Sequence, residues 1–227
     1  RRVMAPLVMK FMHMHPGLQI ELNCDDRYVN LVEQGVDVAV RLGKLADSTL
    51  GAAYLGLNPW VLAASPGYLK AHGRPRKPQD LGRHEALIYS TVQGDERWLL
   101  SGTDGRQISV SVRGRLRSNN LSMLLAAARQ GFGIAALPRY VAHRSLTEGA
   151  LTSVLDDWAL PSQEVHAVFP SPRMVPAKVR LLITWLQSQF GPDWWARPND
   201  GPHGPACRPP DTQGARRSRT QPLPSRR

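Results

Sequence analysis

The sequence predicts an α/β protein built from two subdomains in succession, with a ligand cleft between them. Three observations carry this expectation. Short apolar runs bounded by turn residues alternate with amphipathic helical stretches from Ala5 to Phe190. The order strand, helix, strand occurs in the first part of the chain and recurs, with different punctuation, in the second. At 227 residues and 42% hydrophobic content, the chain is long enough to bury one substantial core or two small ones.

Residues 5–15 read as a helix whose apolar face is Leu7, Val8, Phe11 and Met12, ended by Pro16-Gly17. Leu18, Ile20 and Leu22 alternate with polar neighbours as a strand before the turn Asn23-Cys24-Asp25-Asp26. A helix near Arg27 to Gln34 stops at Gly35, and Val36 to Leu42 is rich enough in β-formers for a buried strand. This spacing describes a βαβ unit, which requires a right-handed crossover and a parallel sheet. Residues 59–64 form another apolar run, Ser65-Pro66 opens a short helix through Tyr68 and Leu69, and Gly73 to Pro78 makes a polar connection. Ile108, Val110, Val112 and Leu116 alternate as one strand in which Gly114 marks a bulge. Ser118 and Asn119 are good caps for a helix from Leu121 to Gln130, closed by Gly131, and Ile134 to Leu137 is a short buried strand ended by Pro138. A helix over Arg139 to Leu146 follows, then strands at Ala150 to Leu155 and Val165 to Phe169. A last helix, Ala177 to Phe190, presents Val179, Leu182, Ile183, Leu186 and Phe190 to a core. On this reading residues 1–64 with 165–192 form the first subdomain and 65–164 the second. Ligands of open α/β sheets sit beyond the carboxyl ends of the strands, so two facing lobes define a cleft.

From residue 196 to 227 the composition shifts to Pro, Gly, Arg and Ser, which cannot bury enough apolar surface to offset ordering entropy, so a disordered basic tail is expected. That segment carries seven Arg against two Asp, a net +5 of the chain's +11. With no aromatic interleaving it reads as a solvated extension, weak binding to DNA or RNA being the alternative. No run of eighteen apolar residues occurs, and Arg1-Arg2-Val3-Met4-Ala5-Pro6 lacks the features of a secretory signal, so a cytoplasmic protein with no membrane partner is expected. Cys24 and Cys207 lie far apart and are read as free thiols. The run Met12-His13-Met14-His15 invites a metal, but neighbouring helix positions diverge, so surface side chains are the better reading and no metal is expected. There is no G-x-S-x-G elbow, no phosphate loop and no H-E-x-x-H, and Gly131-Phe132-Gly133 lacks the continuation of a dinucleotide fingerprint. Neither an enzyme nor a cofactor is expected.

Several motifs occur in a specific order. Ala5-Pro6 precedes His15-Pro16-Gly17, and Asp37-Val38-Ala39-Val40-Arg41-Leu42-Gly43 follows. Next come Ala64-Ser65-Pro66-Gly67-Tyr68-Leu69 with His72-Gly73-Arg74-Pro75, then Pro78-Gln79-Asp80-Leu81 and Ser118-Asn119-Asn120. Gly131-Phe132-Gly133-Ile134-Ala135, ending in Leu137-Pro138, completes the set. From about Ala5 to Phe190 the chain therefore resembles the effector-binding domain of LysR-type bacterial transcription regulators. The resemblance implies two Rossmann-like subdomains of the periplasmic-binding-protein type 2 kind. It also implies a small effector, anionic or aromatic, in the cleft, and a homodimer or homotetramer. The family pattern differs at the start: no winged helix-turn-helix and no first β-strand stand before Ala5. The expectation is a sensor that reaches promoter DNA only through an N-terminal domain absent from this chain. Leu18–Leu22 and Val36–Arg41 would then lack a shared partner strand.

Candidate effector contacts follow from chemistry at the strand ends. Ser118, Asn119 and Asn120 open a helix, where free N–H groups and the dipole favour a carboxylate; a plain cap is the alternative. Ser65 faces the cleft or caps its own helix, and Ser90 and Thr91 follow the apolar run Ala86–Tyr89. Phe132 and Gly133 let backbone approach a ligand, unless the glycines simply end a helix. Arg41 ends a buried strand and offers a bidentate partner for an acidic effector, or a structural ion pair. The leading expectation is a sensor module in which ligand shifts the population of lobe angles. A stand-alone solute-binding protein and a truncated remnant without function remain open alternatives.

Overall fold

The computed structural model describes residues 2–24, 30–45, 49–90 and 96–196, so all but the first residue of the tail expected over 196–227 lies outside the described residues. In chain order the elements are α1 (Met4–Met14), β1 (Ala39–Leu42), β2 (Gly51–Asn58), β3 (Trp60–Ala64), α2 (Pro66–His72), a 3₁₀ turn (Pro78–Arg83), β4 (Glu85–Tyr89), β5 (Arg97–Gly102), β6 (Gln107–Ser111), β7 (Arg113–Ser118), α3 (Leu121–Arg129), β8 (Ile134–Pro138), α4 (Arg139–Thr147), β9 (Thr152–Val154), β10 (Trp158–Ala159), β11 (Gln163–Phe169), α5 (Ala177–Gln189) and a second 3₁₀ turn (Trp194–Ala196).

The first lobe departs from its expected topology. Leu18–Cys24 runs without strand pairing, and Leu22 is largely exposed. Side-chain alternation makes a strand only where a neighbouring ladder takes up the backbone groups, and no described strand runs beside this segment. Of the helix expected near Arg27 to Gln34, residues 25–29 lie outside the described residues and Leu31–Gly35 form a turn. The strand expected over Val36–Leu42 shortens to β1, which lies antiparallel to β11; β11 in turn lies antiparallel to β2. The described first-lobe sheet, ordered β1-β11-β2, is thus antiparallel, not the parallel βαβ unit. An antiparallel strand returning from the end of the chain fills the central place and needs no crossover helix. Val165 and Ala167 of β11 and Leu55 of β2 face Val179, Ile183, Leu186 and Phe190 around α5, together with Trp194. Helix α1 docks on this lobe through Phe11, which packs against Trp185 at 5.4 Å between ring centroids.

The second body is a five-stranded sheet, ordered β7-β4-β8-β3-β9, covered on both faces. Alternation along β3 shows how: Trp60, Leu62 and Ala64 face Tyr68, Leu81, Ile88, Trp98 and Leu100. Val61 and Ala63 face the other way, onto Leu124, Ala128, Leu137, Val141 and Ala142 of α3, β8 and α4. A sheet with both faces buried reads as continuous apolar runs, which is why β3 and β8 stand out in the sequence. The segment between Ile108 and Leu116 is two strands, β6 and β7, separated at buried Val112. β6 joins β5 and β10 in a small antiparallel sheet, while β7 runs parallel to β4 with a register shift opposite Gly114–Leu116, where the bulge was expected. Parallel β4, β7 and β8 with α3 between the last two give this lobe the expected α/β character. The chain passes from the first sheet to the second at Pro59 and returns over Leu160–Ser162.

Candidate functional site

The carboxyl ends of β4 and β7 lie side by side, with Tyr89 opposite Ser118. Because β3 runs antiparallel to β8, its first residue, Trp60, comes to the same end of the sheet, opposite Pro138. The indole of Trp60 and the ring of Tyr89 meet at 5.9 Å between centroids, an aromatic wall beside the strand ends. Ser90 continues from β4, its N–H donating to the Ser118 carbonyl at 3.1 Å.

Helix α3 starts at this place, and its cap is Asn120, not Ser118 or Asn119 as the sequence suggested. The Asn120 Oδ1 accepts from the amides of Ser122 (2.9 Å) and Met123 (3.3 Å), and Ser118 Oγ accepts from the Asn120 amide (3.0 Å). Asn wins the cap because its backbone is extended and its carbonyl is two and three residues from the orphan amides. Among the described residues the Asn119 and Leu121 amides have no acceptor, so the turn keeps two donors at the positive end of the helix. From the first lobe, the exposed Arg2 guanidinium reaches Ser122 Oγ at 3.4 Å, bringing a formal cation to the same turn.

Both chain crossings between the lobes also arrive here. Gln163, at the start of β11, accepts on Oε1 from Asn58 Nδ2 and from Trp60 Nε1, each at 3.1 Å. The Pro59 carbonyl accepts from the Arg139 amide at 2.8 Å. A second link between the lobes is apolar: Tyr140 of α4 stacks on Trp194 at 5.7 Å, and Trp194 Nε1 donates to the Leu57 carbonyl at 2.6 Å.

The structure thus brings Ser90, Ser118, Asn119 and Asn120 together and separates the other candidates. Ser65 sits at the opposite end of β3, buried, its hydroxyl accepting from the Tyr68 amide at 3.3 Å as the cap of α2. Phe132 and Gly133 lie at the amino end of β8, also away from the cleft end. Phe132 lies beneath the Arg115 guanidinium at 5.3 Å, and Gly133 allows the Glu85 backbone to approach where a Cβ would collide with its carbonyl oxygen. Arg41 stands half-buried on β1, opposite His166, in the first-lobe sheet and apart from Ser118–Asn120. Thr91 lies outside the described residues. Sequence reading missed Trp60, Tyr89, Asn58, Gln163 and Arg2; the only signal was polar Asn58 immediately before the apolar run 59–64.

Behind this end lies a second polar cluster in the second lobe. The Tyr68 hydroxyl accepts from the Glu85 amide (3.0 Å) and contacts His84 Nδ1 (3.3 Å), while the His72 ring stacks on Tyr68 at 4.3 Å. Burial pushes the Tyr68 hydroxyl up in pKa, and burial with the nearby His72 holds His84 below the usual imidazole value. Among the described residues no group of three or more His, Cys, Asp or Glu side chains is placed to hold a metal. In the Met12–His15 run, His13 Nδ1 bonds the Met9 carbonyl at 2.8 Å while His15 packs on Phe11, so the two imidazoles diverge. No described helix is long and apolar enough to cross a membrane.

Residues 1–191 match the family model described as the LysR substrate binding domain. An HTH-type transcriptional regulator of Haemophilus influenzae is 34% identical over 175 residues, which cover 77% of this chain and 60% of that protein. Among solved structures, the full-length Vibrio cholerae virulence activator AphB superposes with a TM-score of 0.73 at 29% identity, covering 84% of this chain and 65% of that one. The regulatory domain of CrgA, a LysR-type transcriptional regulator from Neisseria meningitidis, gives 0.72 at 27% identity, covering 84% and 93%. The chain spans about three-fifths of the length of the curated relatives it matches.

Proposed function

Since the chain belongs to the LysR substrate-binding domain family, with the two-lobed periplasmic-binding-protein type 2 fold, we propose that its lobes close on a small carboxylate at the start of α3. The observation that carries this reading is the convergence on one turn of the Asn119 and Leu121 amides, which have no acceptor among the described residues, the α3 dipole and the Arg2 guanidinium. The Trp60–Tyr89 wall beside it suits an apolar or aromatic remainder of the ligand. We place the lobe boundary at Pro59 and Leu160–Ser162, rather than after residue 64, a choice supported by the hydrogen bonding of β3 to β8 and β9. The effector acts by preferring one lobe angle, and shifts the population in proportion to its differential affinity for the two states. In the whole regulator this angle is passed to a DNA-binding part. The working unit is a cytoplasmic homodimer or homotetramer that binds its ligand without chemical conversion.

A thermal-shift panel of small carboxylates with their matching carboxamides tests the charge preference. At least one carboxylate raises the melting temperature and its carboxamide does not. Equal stabilisation by acid and amide, or stabilisation by no member, contradicts the reading.

A further inference from the structure

Two short crossings join the lobes side by side, at Pro59 and at Leu160–Ser162, and Gln163 bridges them. Adjacent tethers hold the lobes together but leave them free to rock, so their angle is set by whatever else packs from one lobe onto the other. Arg2–Ser122 is one such contact, an exposed hydrogen bond of 3.4 Å for which water competes. The contact between Tyr140 and Trp194 is of a different kind. Tyr140, in the first turn of α4, packs against both the second-lobe core around α3 and α4 and the first-lobe core around α5. Trp194 is 8% exposed, and its ring lies 5.7 Å from that of Tyr140 with 28° between the planes.

Trp194 is fixed to the first lobe from two sides. Its ring meets Phe190 at 4.9 Å, and its indole N–H donates to the carbonyl of Leu57, just before the first crossing. The turn that presents it holds Asp193 at φ +54°, a conformation uncommon for residues other than glycine. Such a turn persists where packing demands it, here the seating of Trp194 against Phe190 and Tyr140. On the other side, the amide of Arg139, next to Tyr140, donates to the Pro59 carbonyl at 2.8 Å, so α4 starts against the crossing itself. Rocking of the lobes therefore slides one ring across the other. The matched family region ends at residue 191, so this indole stands outside it.

We propose that Trp194 is an angle-setting brace: stacked on Tyr140, it holds the lobes at one resting angle, and effector affinity depends on it although it does not touch the effector. The statement about the angle stands by itself; the statement about affinity rests on the cleft reading above. A stacked aromatic pair biases an equilibrium between two arrangements by roughly 2- to 10-fold, and a ligand that prefers one lobe angle works with or against that bias. Trp194 is thus a positioning residue.

Double electron–electron resonance on the full chain reads the angle directly. Nitroxides are placed through Leu181→Cys on α5 and Lys70→Cys on α2, both exposed positions, with Cys24→Ser and Cys207→Ser, and labelled protein is diluted with unlabelled. The labelled parent gives one narrow distance distribution. Trp194→Ala and Tyr140→Leu each shift its centre by more than about 2 Å or broaden it. Trp194→Phe, which keeps the stack and loses only the bond to Leu57, stays close to the parent. Leu100→Ala, a truncation in the core on the other face of the second-lobe sheet, lowers stability without moving the distribution. Parent-like distributions in folded Trp194→Ala and Tyr140→Leu overturn the proposal. So does an equal shift in Leu100→Ala, which marks general loosening. Tyr140→Leu decides the matter if Trp194→Ala does not fold. The carboxylate site is judged separately, by the thermal-shift panel, so the two readings fail independently.

Discussion

Replacing Gln163 by leucine would expose how much the two crossings between the lobes depend on one oxygen. Gln163 Oε1 is the acceptor for Asn58 Nδ2 and Trp60 Nε1, and those residues are 0% and 6% exposed. Leucine keeps the volume and removes the acceptor, stranding two buried donors at about 1–3 kcal/mol each. Gln163 itself is half-buried, so solvent at its edge relieves part of this, and the loss comes to about 2–4 kcal/mol. For a domain of this size that corresponds to a fall in Tm of roughly 5–15 °C. Urea unfolding followed by circular dichroism measures it directly as a shift in midpoint at constant slope. Gln163→Glu, which keeps an acceptor oxygen, loses less than half as much. Trp60→Phe removes one of the donors, so the double variant Trp60→Phe/Gln163→Leu is less damaging than the sum by about 1 kcal/mol. A Gln163→Leu variant within about 0.5 kcal/mol of the unmodified chain would mean that water replaces the amide at no cost and that the two crossings do not depend on this oxygen.

Asn120→Ala strips the cap from α3 and costs about 1 kcal/mol in urea unfolding, whereas Asn119→Ala, which touches no described partner, changes stability by less than about 0.5 kcal/mol. Gly133→Ala drives a methyl into the Glu85 backbone where β8 meets β4 and lowers stability by about 1–3 kcal/mol, read from the same unfolding curves. His84 is held below the imidazole value of about 6.5, so the unfolded chain takes up its proton more readily than the folded one. Its contribution is complete above that value and is lost as pH falls toward the depressed folded value. The unfolding midpoint therefore drops between pH 7.5 and pH 5.5 by more in the unmodified chain than in His84→Gln, and equal drops would assign the pH dependence to other groups.

Legibility in the sequence followed burial. β3, β8 and the helices α3, α4 and α5 were readable because both faces of the sheet, or one face of each helix, are covered by the same lobe. β2 was not, because Gly51, Ala52, Ala53 and Gly56 carry no β-branched signal; small residues are there to lie close under Phe169 and Phe190. Leu18–Leu22 failed in the opposite way, with a clean alternation and no ladder to join. The candidate site was half legible. Ser118–Asn120 announced itself as a helix start, and its neighbour Ser90 followed from the strand ending at Tyr89. Ser65 and Gly131–Gly133 carry the same local signals of cap and turn, yet fall at the other end of the sheet, because strand direction is a tertiary property that local patterns do not contain. Gln163 and Asn58 are 105 residues apart and meet only because the two strand crossings lie side by side.

A small carboxylate held at the start of α3, between the lobes, would perturb the amides of that turn first. Two-dimensional ¹⁵N–¹H NMR of the full chain, titrated with the carboxylate that stabilises it most, tests this residue by residue. Saturable shifts are expected at the backbone amides of Asn119, Leu121 and Ser122 and at the side-chain amide of Gln163, while the backbone amides of Gly131 and Gly133 at the far end of the sheet stay in place. Shifts centred on Ser65, His72 and Gly131, with the Asn119–Ser122 amides unmoved, would contradict it.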